Sequence, residues 1–204
     1  GDNVKRPAIL ENVKRILFYG DSLTDGSSYP DYVVNSLNAA FPGANFEMEN
    51  SAKCGDRVGN LLERFDADVA AKKPDLVFIC ITTNDCWQKY APEKTKAEFL
   101  ELVAKLKVLP AKFALIRPSC IGNEELAGRF PNYLAIIDEI AKQENCPLID
   151  AFALFTKWKA EGKEVLGSDG IHHGKDGFEC MGRAVLDGLG LAGAARGFVF
   201  RRRL

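Results

Sequence analysis

Leu76-Val77-Phe78-Ile79-Cys80-Ile81 is the stretch that decides the fold. It consists of six consecutive apolar residues with no polar residue between them. A strand covered by helices on both faces has this pattern, whereas a strand with one solvent-exposed face alternates between apolar and polar residues. The run therefore predicts a central strand of a parallel sheet.

Shorter apolar runs on either side of this stretch predict four further strands, over residues 16–19, 45–49, 113–116 and 148–149. Amphipathic stretches lie between them, because apolar residues recur with helical spacing in two series and a last helix is predicted from Asp176 to Gly188. The two series are Phe99, Leu102, Val103 and Leu106, and Tyr133, Ile136, Ile137 and Ile140. Alternating strands and helices predict an α/β fold, a three-layer α/β/α sandwich around a five-stranded parallel sheet. We expect one domain over residues 1–204, with residues 1–13 and 198–204 peripheral.

The composition is that of an ordinary globular protein and excludes several functional classes. Of 204 residues, 47% are hydrophobic and 27% are charged, and the formal net charge is -1. This charge gives no basic field for nucleic acid, and no apolar run approaches the roughly 18 to 20 residues that span a membrane. The three arginines at 201–203 are expected to form a solvated tail, and the oligomeric state is left open.

The six cysteines are scattered and have neither CxxC pairs nor zinc spacing, so we expect mostly free thiols, no metal and no cofactor. The chain starts at Gly1-Asp2 instead of Met. A removed signal peptide or a remnant of an expression tag would each account for this start. The compartment stays open, and an extracytoplasmic location is slightly favoured over a cytoplasmic one.

The candidate nucleophile lies just after the first predicted strand. Ser22 occurs in Gly20-Asp21-Ser22-Leu23-Thr24-Asp25-Gly26. In parallel sheets, sites form at the carboxyl ends of the strands, which is where this serine is predicted. A serine hydroxyl becomes a good nucleophile only when a base can take its proton. Taken alone, the segment is more typical of a helix N-cap than of a catalytic serine.

The base must be one of two histidines, His172 or His173. Asp169 precedes His172 by three residues, a spacing that lets a carboxylate accept the far ring N–H and fix the tautomer. His173 is then expected to point away. The alternative is a polar surface pair, or adventitious metal binding.

Ester hydrolysis also needs hydrogen-bond donors for the oxyanion that develops on the carbonyl oxygen. Gly55, after the second strand, offers a backbone N–H, and Asn84, after the third, offers a side-chain amide. Taken alone, both are ordinary turn residues.

Together these segments resemble the four sequence blocks of the SGNH hydrolases, also called the GDSL esterase/lipase family. Each block follows a predicted strand or lies in a predicted loop, and the resemblance spans about residues 15 to 185. The blocks are Ile16-Leu17-Phe18-Tyr19-Gly20-Asp21-Ser22-Leu23-Thr24-Asp25-Gly26, Asn50-Ser51-Ala52-Lys53-Cys54-Gly55-Asp56, Lys73-Pro74-Asp75-Leu76-Val77 leading to Thr83-Asn84-Asp85, and Asp169-Gly170-Ile171-His172 with Gly177-Phe178 beyond.

The resemblance implies a flavodoxin-like sheet and a role for each matching residue. Ser22 would be the nucleophile, His172 the general base and Asp169 its partner. The N–H groups of Ser22 and Gly55 and the amide of Asn84 would form the oxyanion hole, while Asp21 would brace the turn. Two positions depart from the family pattern, because Thr82 and Ala52 stand where the family usually has glycine.

The sequence thus predicts a serine esterase that forms an acyl-Ser22 intermediate. Asp21, Trp87, Tyr90 and Arg57 are candidate substrate contacts. The expected small-molecule substrate is an acetylated carbohydrate or a short acyl ester, and the aromatic rings favour the carbohydrate. A lysophospholipase or thioesterase, or a non-catalytic carbohydrate- or ligand-binding module on the same scaffold, remains an alternative. A nucleotide-binding domain is disfavoured because acidic residues at the first turn would repel phosphate.

Overall fold

The computed structural model describes residues 5–192, which form a five-stranded sheet in which every strand is parallel to its neighbours. The spatial order is β2-β1-β3-β4-β5. Each predicted strand overlaps an observed one, and the predicted fold class is confirmed. The strands are β1 (Arg15–Gly20), β2 (Glu47–Asn50), β3 (Leu76–Cys80), β4 (Lys112–Arg117) and β5 (Leu148–Asp150).

Helices cover both faces of the sheet. α1, α7 and α8 pack together on one face, and α2, α5 and α6 pack together on the other, where α4 also contacts α6. The helices are α1 (Tyr29–Ala40), α2 (Val58–Glu63), α3 (Phe65–Asp68), α4 (Thr83–Trp87), α5 (Pro92–Val108), α6 (Glu124–Glu144), α7 (Ala151–Ala160) and α8 (Gly177–Gly188). Short 3₁₀ turns occur at Ala8–Leu10 and Ala70–Lys72.

The two central strands explain why the apolar run at residues 76–81 has no polar alternation. β1 and β3 pair in register from Ile16↔Leu76 to Gly20↔Cys80. Alternate side chains of β3 enter two different core clusters, with Phe78 on one face and Ile79 on the other. Because both faces are buried under helices, every side chain of β3 must be apolar.

The two periodic stripes identified in the sequence are the buried faces of α5 and α6. The side-chain oxygen of Asn123 caps α6 by accepting the backbone N–H of Leu126 (3.1 Å). The predicted last helix corresponds to α8, which begins one residue after Asp176.

The expectation that residues 1–13 are peripheral needs correction for the part of that segment that the structure describes. Leu10 and Val13 are buried in the core beside α1. The ammonium group of Lys112 donates to the carbonyl groups of Ala8 (2.9 Å) and Glu11 (2.8 Å). Residues 198–204, including the three arginines, lie outside the described residues.

Within residues 5–192, no helix is both long and apolar enough to cross a membrane. All six cysteines fall in this range, and all are free thiols.

Candidate active site

The candidate site lies at the carboxyl edge of the sheet, where β1 and β3 are neighbours. The chain leaves β1 towards β2 on one side, while β3 leads to β4 and β5 on the other. This divergence opens a crevice between the loops that follow β1 and β3, the usual ligand position in such sheets. Ser22 is two residues beyond β1, and Asn84 lies in the first turn of α4, just after β3.

A tight turn after β1 presents the Ser22 side chain to this crevice. The carbonyl of Asp21 accepts the N–H groups of Thr24 (3.0 Å) and Asp25 (2.8 Å). The carboxyl oxygen Oδ1 of Asp21 accepts the N–H of Leu23 (3.0 Å). Asp21 and Leu23 are buried while Ser22 between them is partly exposed, so the turn fixes the direction of its hydroxyl.

Ser22, His172 and Asp169 form a continuous hydrogen-bonded series. Ser22 Oγ lies 2.9 Å from His172 Nε2, although 150 residues separate them in sequence. His172 Nδ1 lies 2.5 Å from Asp169 Oδ2. With the proton on Nδ1, the ring donates to Asp169 and Nε2 is free to accept the Ser22 hydroxyl, the arrangement required for base-assisted attack.

Asp169 is held as an anion by its hydrogen bonds. The hydrogen bond from the His172 ring, followed by the N–H of Ile171, lowers the pKa of Asp169 to about 2. Oδ1 accepts the backbone N–H groups of Ile171 and His172, each at 2.9 Å. At neutral pH the carboxylate is therefore charged and can stabilise a positive charge on the imidazole.

Three donors that could stabilise an oxyanion belong to chain segments that are hydrogen-bonded to one another. Asp25 Oδ2 accepts the N–H of Cys54 (2.9 Å), which ties the Ser22 turn to the Gly55 loop. The Asn84 amide donates to the carbonyl of Asp56 (3.0 Å), and one of its two hydrogens remains for a ligand. Throughout residues 5–192, the backbone N–H groups of Ser22 and Gly55 have no hydrogen-bond acceptor.

A pocket of about 180 Å³ lies beside these groups. Ser22, Asn84, His172, Asp169 and Trp87 all line it. The side chain of Trp87 is 52% exposed at this position. Gly55 does not line the pocket. It is linked to the site by the hydrogen bonds of its two sequence neighbours, Cys54 and Asp56.

Sequence reasoning missed three lining residues, Thr83, Gln88 and Ile171. Each is adjacent in sequence to a predicted site residue, and that adjacency is the signal that could have identified them. Thr83 and Ile171 are buried and contribute to the wall of the pocket.

Two candidate substrate contacts, Arg57 and Tyr90, do not line this pocket. The guanidinium of Arg57 stacks on the Tyr90 ring, 3.7 Å from its centroid, and lies 3.9 Å from a carboxylate oxygen of Glu98. The carbonyl of Tyr90 accepts the hydroxyl of Tyr133. The stacking of Arg57 on Tyr90 and the approach of Arg57 to Glu98 of α5 hold both side chains in the packing around α5 instead of in the pocket lining.

Asp21 lines the pocket but is almost fully buried, with 1% of its surface exposed. Its Oδ2 has no hydrogen-bond partner among the described residues. Burial raises the pKa of Asp21 to about 7, the N–H of Leu23 opposes this shift, and the nearby Asp85 adds to it. Its visible interactions therefore brace the Ser22 turn.

His173 points away from the crevice. Its Nε2 lies 3.2 Å from Ser119 Oγ. The ring packs against Phe155 and Phe178, at centroid distances of 4.9 Å and 5.7 Å. Burial lowers the pKa of His173 to about 4, with a smaller contribution from His172.

The family profile that matches the chain covers residues 18–180, which includes all three residues of the candidate triad and both candidate donor segments. That profile describes the GDSL-like lipase/acylhydrolase family. The chain belongs to this family. It is accordingly a carboxylic ester hydrolase of the SGNH type, which confirms the predicted family and enzyme class.

Individual relatives agree with this assignment. An acetylxylan esterase from Geobacillus stearothermophilus is 30% identical over 206 residues, covering 87% of this chain and 94% of the esterase. A crystal structure of an acetylxylan esterase from that organism matches with a TM-score of 0.79 at 27% identity, covering 93% of this chain and 97% of the other. Related structures are catalytic mutants in which a serine, an aspartate or a histidine is replaced by alanine.

An alpha/beta hydrolase enzyme from the metagenome of Lake Arreo, Spain, shares the fold. It superimposes with a TM-score of 0.80 at 24% identity, covering 88% of this chain and 96% of the other.

Proposed function

We propose that this GDSL hydrolase removes acetyl groups from carbohydrate esters through a covalent acetyl-Ser22 intermediate. The observation that carries the proposal is the hydrogen-bonded series from Ser22 Oγ to His172 Nε2 (2.9 Å) and from His172 Nδ1 to Asp169 (2.5 Å). A nucleophile, a base and an anion that orients the base are thereby aligned beside a small pocket.

In the acylation step, Ser22 Oγ attacks the carbonyl carbon while its proton passes to His172 Nε2. The electron pair of the carbonyl π bond moves to the carbonyl oxygen, giving a tetrahedral oxyanion. As this intermediate collapses, the bond from carbon to the sugar oxygen breaks, and His172 donates its proton to that oxygen. Asp169, an anion at neutral pH, stabilises the imidazolium that exists between the two proton transfers.

Deacylation repeats the sequence with water as nucleophile. His172 accepts a proton from water as its oxygen attacks the acetyl carbon, and the bond to Ser22 Oγ then breaks. The proton on His172 returns to Ser22, and acetic acid leaves, ionising to acetate at neutral pH. The N–H groups of Ser22 and Gly55 and the Asn84 amide are the proposed donors to the oxyanion in both steps, since each has hydrogen-bonding capacity unused by residues 5–192.

Three observations support acetylated carbohydrate as the substrate class. The relative that is 30% identical is an acetylxylan esterase. The pocket of about 180 Å³ is small, since pockets for drug-sized ligands measure about 300–1,000 Å³. Trp87 exposes half of its surface beside Ser22 and offers an aromatic face to a sugar ring. A long acyl chain would find little apolar volume here.

A fluorophosphonate probe tests the nucleophile directly. We expect one covalent adduct, located on Ser22 by mass spectrometry, and none after Ser22→Ala. Release of p-nitrophenol from p-nitrophenyl acetate should fall by roughly 10³-fold or more in Ser22→Ala and in His172→Ala, with little further loss in the double variant. Ser168→Ala is the matched control, because Ser168 is an exposed serine beside Asp169. An active enzyme in which Ser22 stays unlabelled would instead refute the acetyl-Ser22 intermediate.

A substrate panel then tests the substrate class. Acetylated xylo-oligosaccharides, a lysophospholipid and an acyl thioester should be compared at equal enzyme concentration. We expect the largest kcat/KM for the acetylated sugar. A larger value for the lysophospholipid or the thioester would refute the carbohydrate assignment while leaving the acyl-enzyme mechanism intact.

A further inference from the structure

We infer that His173, a buried histidine outside the triad, is a positioning residue that holds the ring of His172 in line with Ser22. The inference rests on the proposed function of Ser22 and His172. It assigns a role to the one histidine that the proposed mechanism does not use.

The triad loop needs support from outside, because its catalytic side chains are exposed. The side chains of His172 and Asp169 are 56% and 46% exposed. Neither is packed into the core, yet the Ser22 to His172 hydrogen bond requires the ring to be placed to within a few tenths of an ångström. The precision must come from the neighbouring residues of the loop.

Those neighbours anchor the loop on opposite faces of the sheet. Ile171 is 6% exposed and belongs to the core cluster under α5 and α6. His173 packs against Phe155 of α7 and Phe178 of α8, on the other face. His172 therefore lies between two buried residues that hold the backbone from both sides.

His173 also makes a side-chain polar contact between the triad loop and the segment that follows β4, in addition to the backbone hydrogen bond from Gly122 N–H to the Gly170 carbonyl (2.7 Å). Its Nε2 lies 3.2 Å from the hydroxyl of Ser119, which is 1% exposed. A hydrogen bond has a direction, unlike apolar packing, so this pair fixes the rotation of the His173 ring and the backbone that carries it. The adjacent His172 carbonyl accepts the N–H of Gly167 (2.7 Å), which extends the same restraint.

The start of α8 is fitted to His173. A Cβ atom added at Gly177, the first residue of α8, would lie 2.7 Å from His173 Cβ and 2.3 Å from the carbonyl oxygen of Val165. Such distances do not occur between real side chains and their neighbours, so glycine is required for this close approach. His173 is thus enclosed by α7, α8 and the loop after β4.

The test separates positioning from simple packing with two variants that remove the same hydrogen bond from opposite ends. His173→Phe keeps an aromatic ring between Phe155 and Phe178, and Ser119→Ala removes the partner hydroxyl. For p-nitrophenyl acetate, we expect each variant to lower kcat about 10- to 100-fold with little change in KM, because small misplacements of catalytic groups cost rates of this order. The double variant should lose little more than either single one.

Two further variants make the result decisive. His173→Gln, whose amide can reach Ser119, should recover part of the lost kcat. Leu106→Ala is the stability control. Leu106 is fully buried near the end of α5, just before the amino end of β4, whereas the candidate site lies at the carboxyl ends of the strands. The substitution should lower the melting temperature without lowering kcat. The rate at which the fluorophosphonate labels Ser22 should fall in parallel with kcat in the His173 and Ser119 variants.

The inference is wrong if His173→Phe and Ser119→Ala keep the wild-type kcat and labelling rate, or if Leu106→Ala loses as much kcat as they do at an equal loss of melting temperature. That outcome would leave the proposed function standing. Wild-type activity in Ser22→Ala would instead overturn the proposed function itself, so the two failures are distinguishable.

Discussion

Thr82 is the residue whose backbone conformation is least suited to its side chain. It has φ 110°, in the region that β-branched residues avoid, and its buried hydroxyl has no partner in the described part of the chain. It is also one of the two positions, with Ala52, at which the sequence departs from the family pattern, which usually has glycine there. Strain of this kind is worth on the order of 1–3 kcal/mol, and it lies two residues before Asn84.

Thr82→Gly should therefore stabilise the protein by about 1 kcal/mol, since relief of strain and of the unpartnered hydroxyl outweighs the flexibility that glycine adds to the unfolded chain. Urea unfolding measures the difference. Thr83→Gly is the matched control, because Thr83 has an equally unpartnered hydroxyl but lies in α4 without a positive φ. It should destabilise. Destabilisation of similar size in both variants would contradict the strain argument.

Single residues were predictable from sequence where chemistry alone restricts the choice. With two histidines in the chain and one carboxylate three residues before His172, the candidate triad could be named without coordinates. Arg57 and Tyr90 could not be placed in the same way. Each is near the site in sequence, but their stacking on each other is a tertiary contact that no local pattern encodes.

In the loop after β2, the proposed oxyanion donor Gly55 can be tested by a substitution that disturbs no neighbouring side chain. Gly55 has φ 83°, and an added Cβ would meet nothing within 4 Å. Gly55→Ala therefore changes only the backbone preference of the loop, by about 1 kcal/mol, and with it the direction of the N–H. We expect kcat for p-nitrophenyl acetate to fall by roughly 10-fold or more, up to the 10²- to 10³-fold typical of a lost oxyanion donor.

Gly43 provides a close control for this experiment. It has φ 90°, and an added Cβ would again meet nothing within 4 Å. It lies between α1 and β2, before the amino end of β2, whereas Gly55 follows the carboxyl end of that strand. Gly43→Ala should lower stability as much as Gly55→Ala and leave kcat unchanged. An equal kcat in both variants would remove Gly55 from the proposed oxyanion hole.

Strands and long helices were predictable because each repeats one pattern over many residues. The stripe of α6 is an example, since Tyr133, Ile136, Ile137 and Ile140 are all buried. The bounds of the short helices α2, α3 and α4 were not predicted, because six residues or fewer do not display a helical period. One of them, α4, contributes Thr83, Asn84 and Trp87 to the pocket lining, so an element whose bounds the sequence did not predict helps to shape the pocket.

The molecule as a whole carries buried ionisable groups whose effects on stability oppose each other. Burial raises the pKa of Asp21 to about 7 and that of Asp85 to about 6. The folded state then holds protons that the unfolded state releases above about pH 4. The stability that these two carboxyl groups contribute at low pH is therefore lost as pH rises towards 7. Burial lowers the pKa of His173 to about 4, and its contribution is lost as pH falls from about 6.5 towards 4.

Removing the Asp21 carboxyl group should make the pH dependence of stability that is due to His173 easier to measure. Asp21→Asn keeps an oxygen for the Leu23 N–H but has no charge to bury. Relative to wild type, the variant should gain free energy of unfolding as pH rises from about 4 to 8, by on the order of 3–4 kcal/mol, because only wild type must then bury an ionised carboxylate. In the variant, the loss of stability at acid pH that is due to His173 is less compensated, so its stability should fall more steeply below about pH 6.5.

Urea unfolding across this pH range measures both slopes. Asp31→Asn removes an exposed carboxylate of α1 and is the control for the lost charge. A difference between Asp21→Asn and wild type that stays constant with pH would mean that Asp21 ionises alike in the folded and unfolded chain, and that its burial carries no linkage to folding.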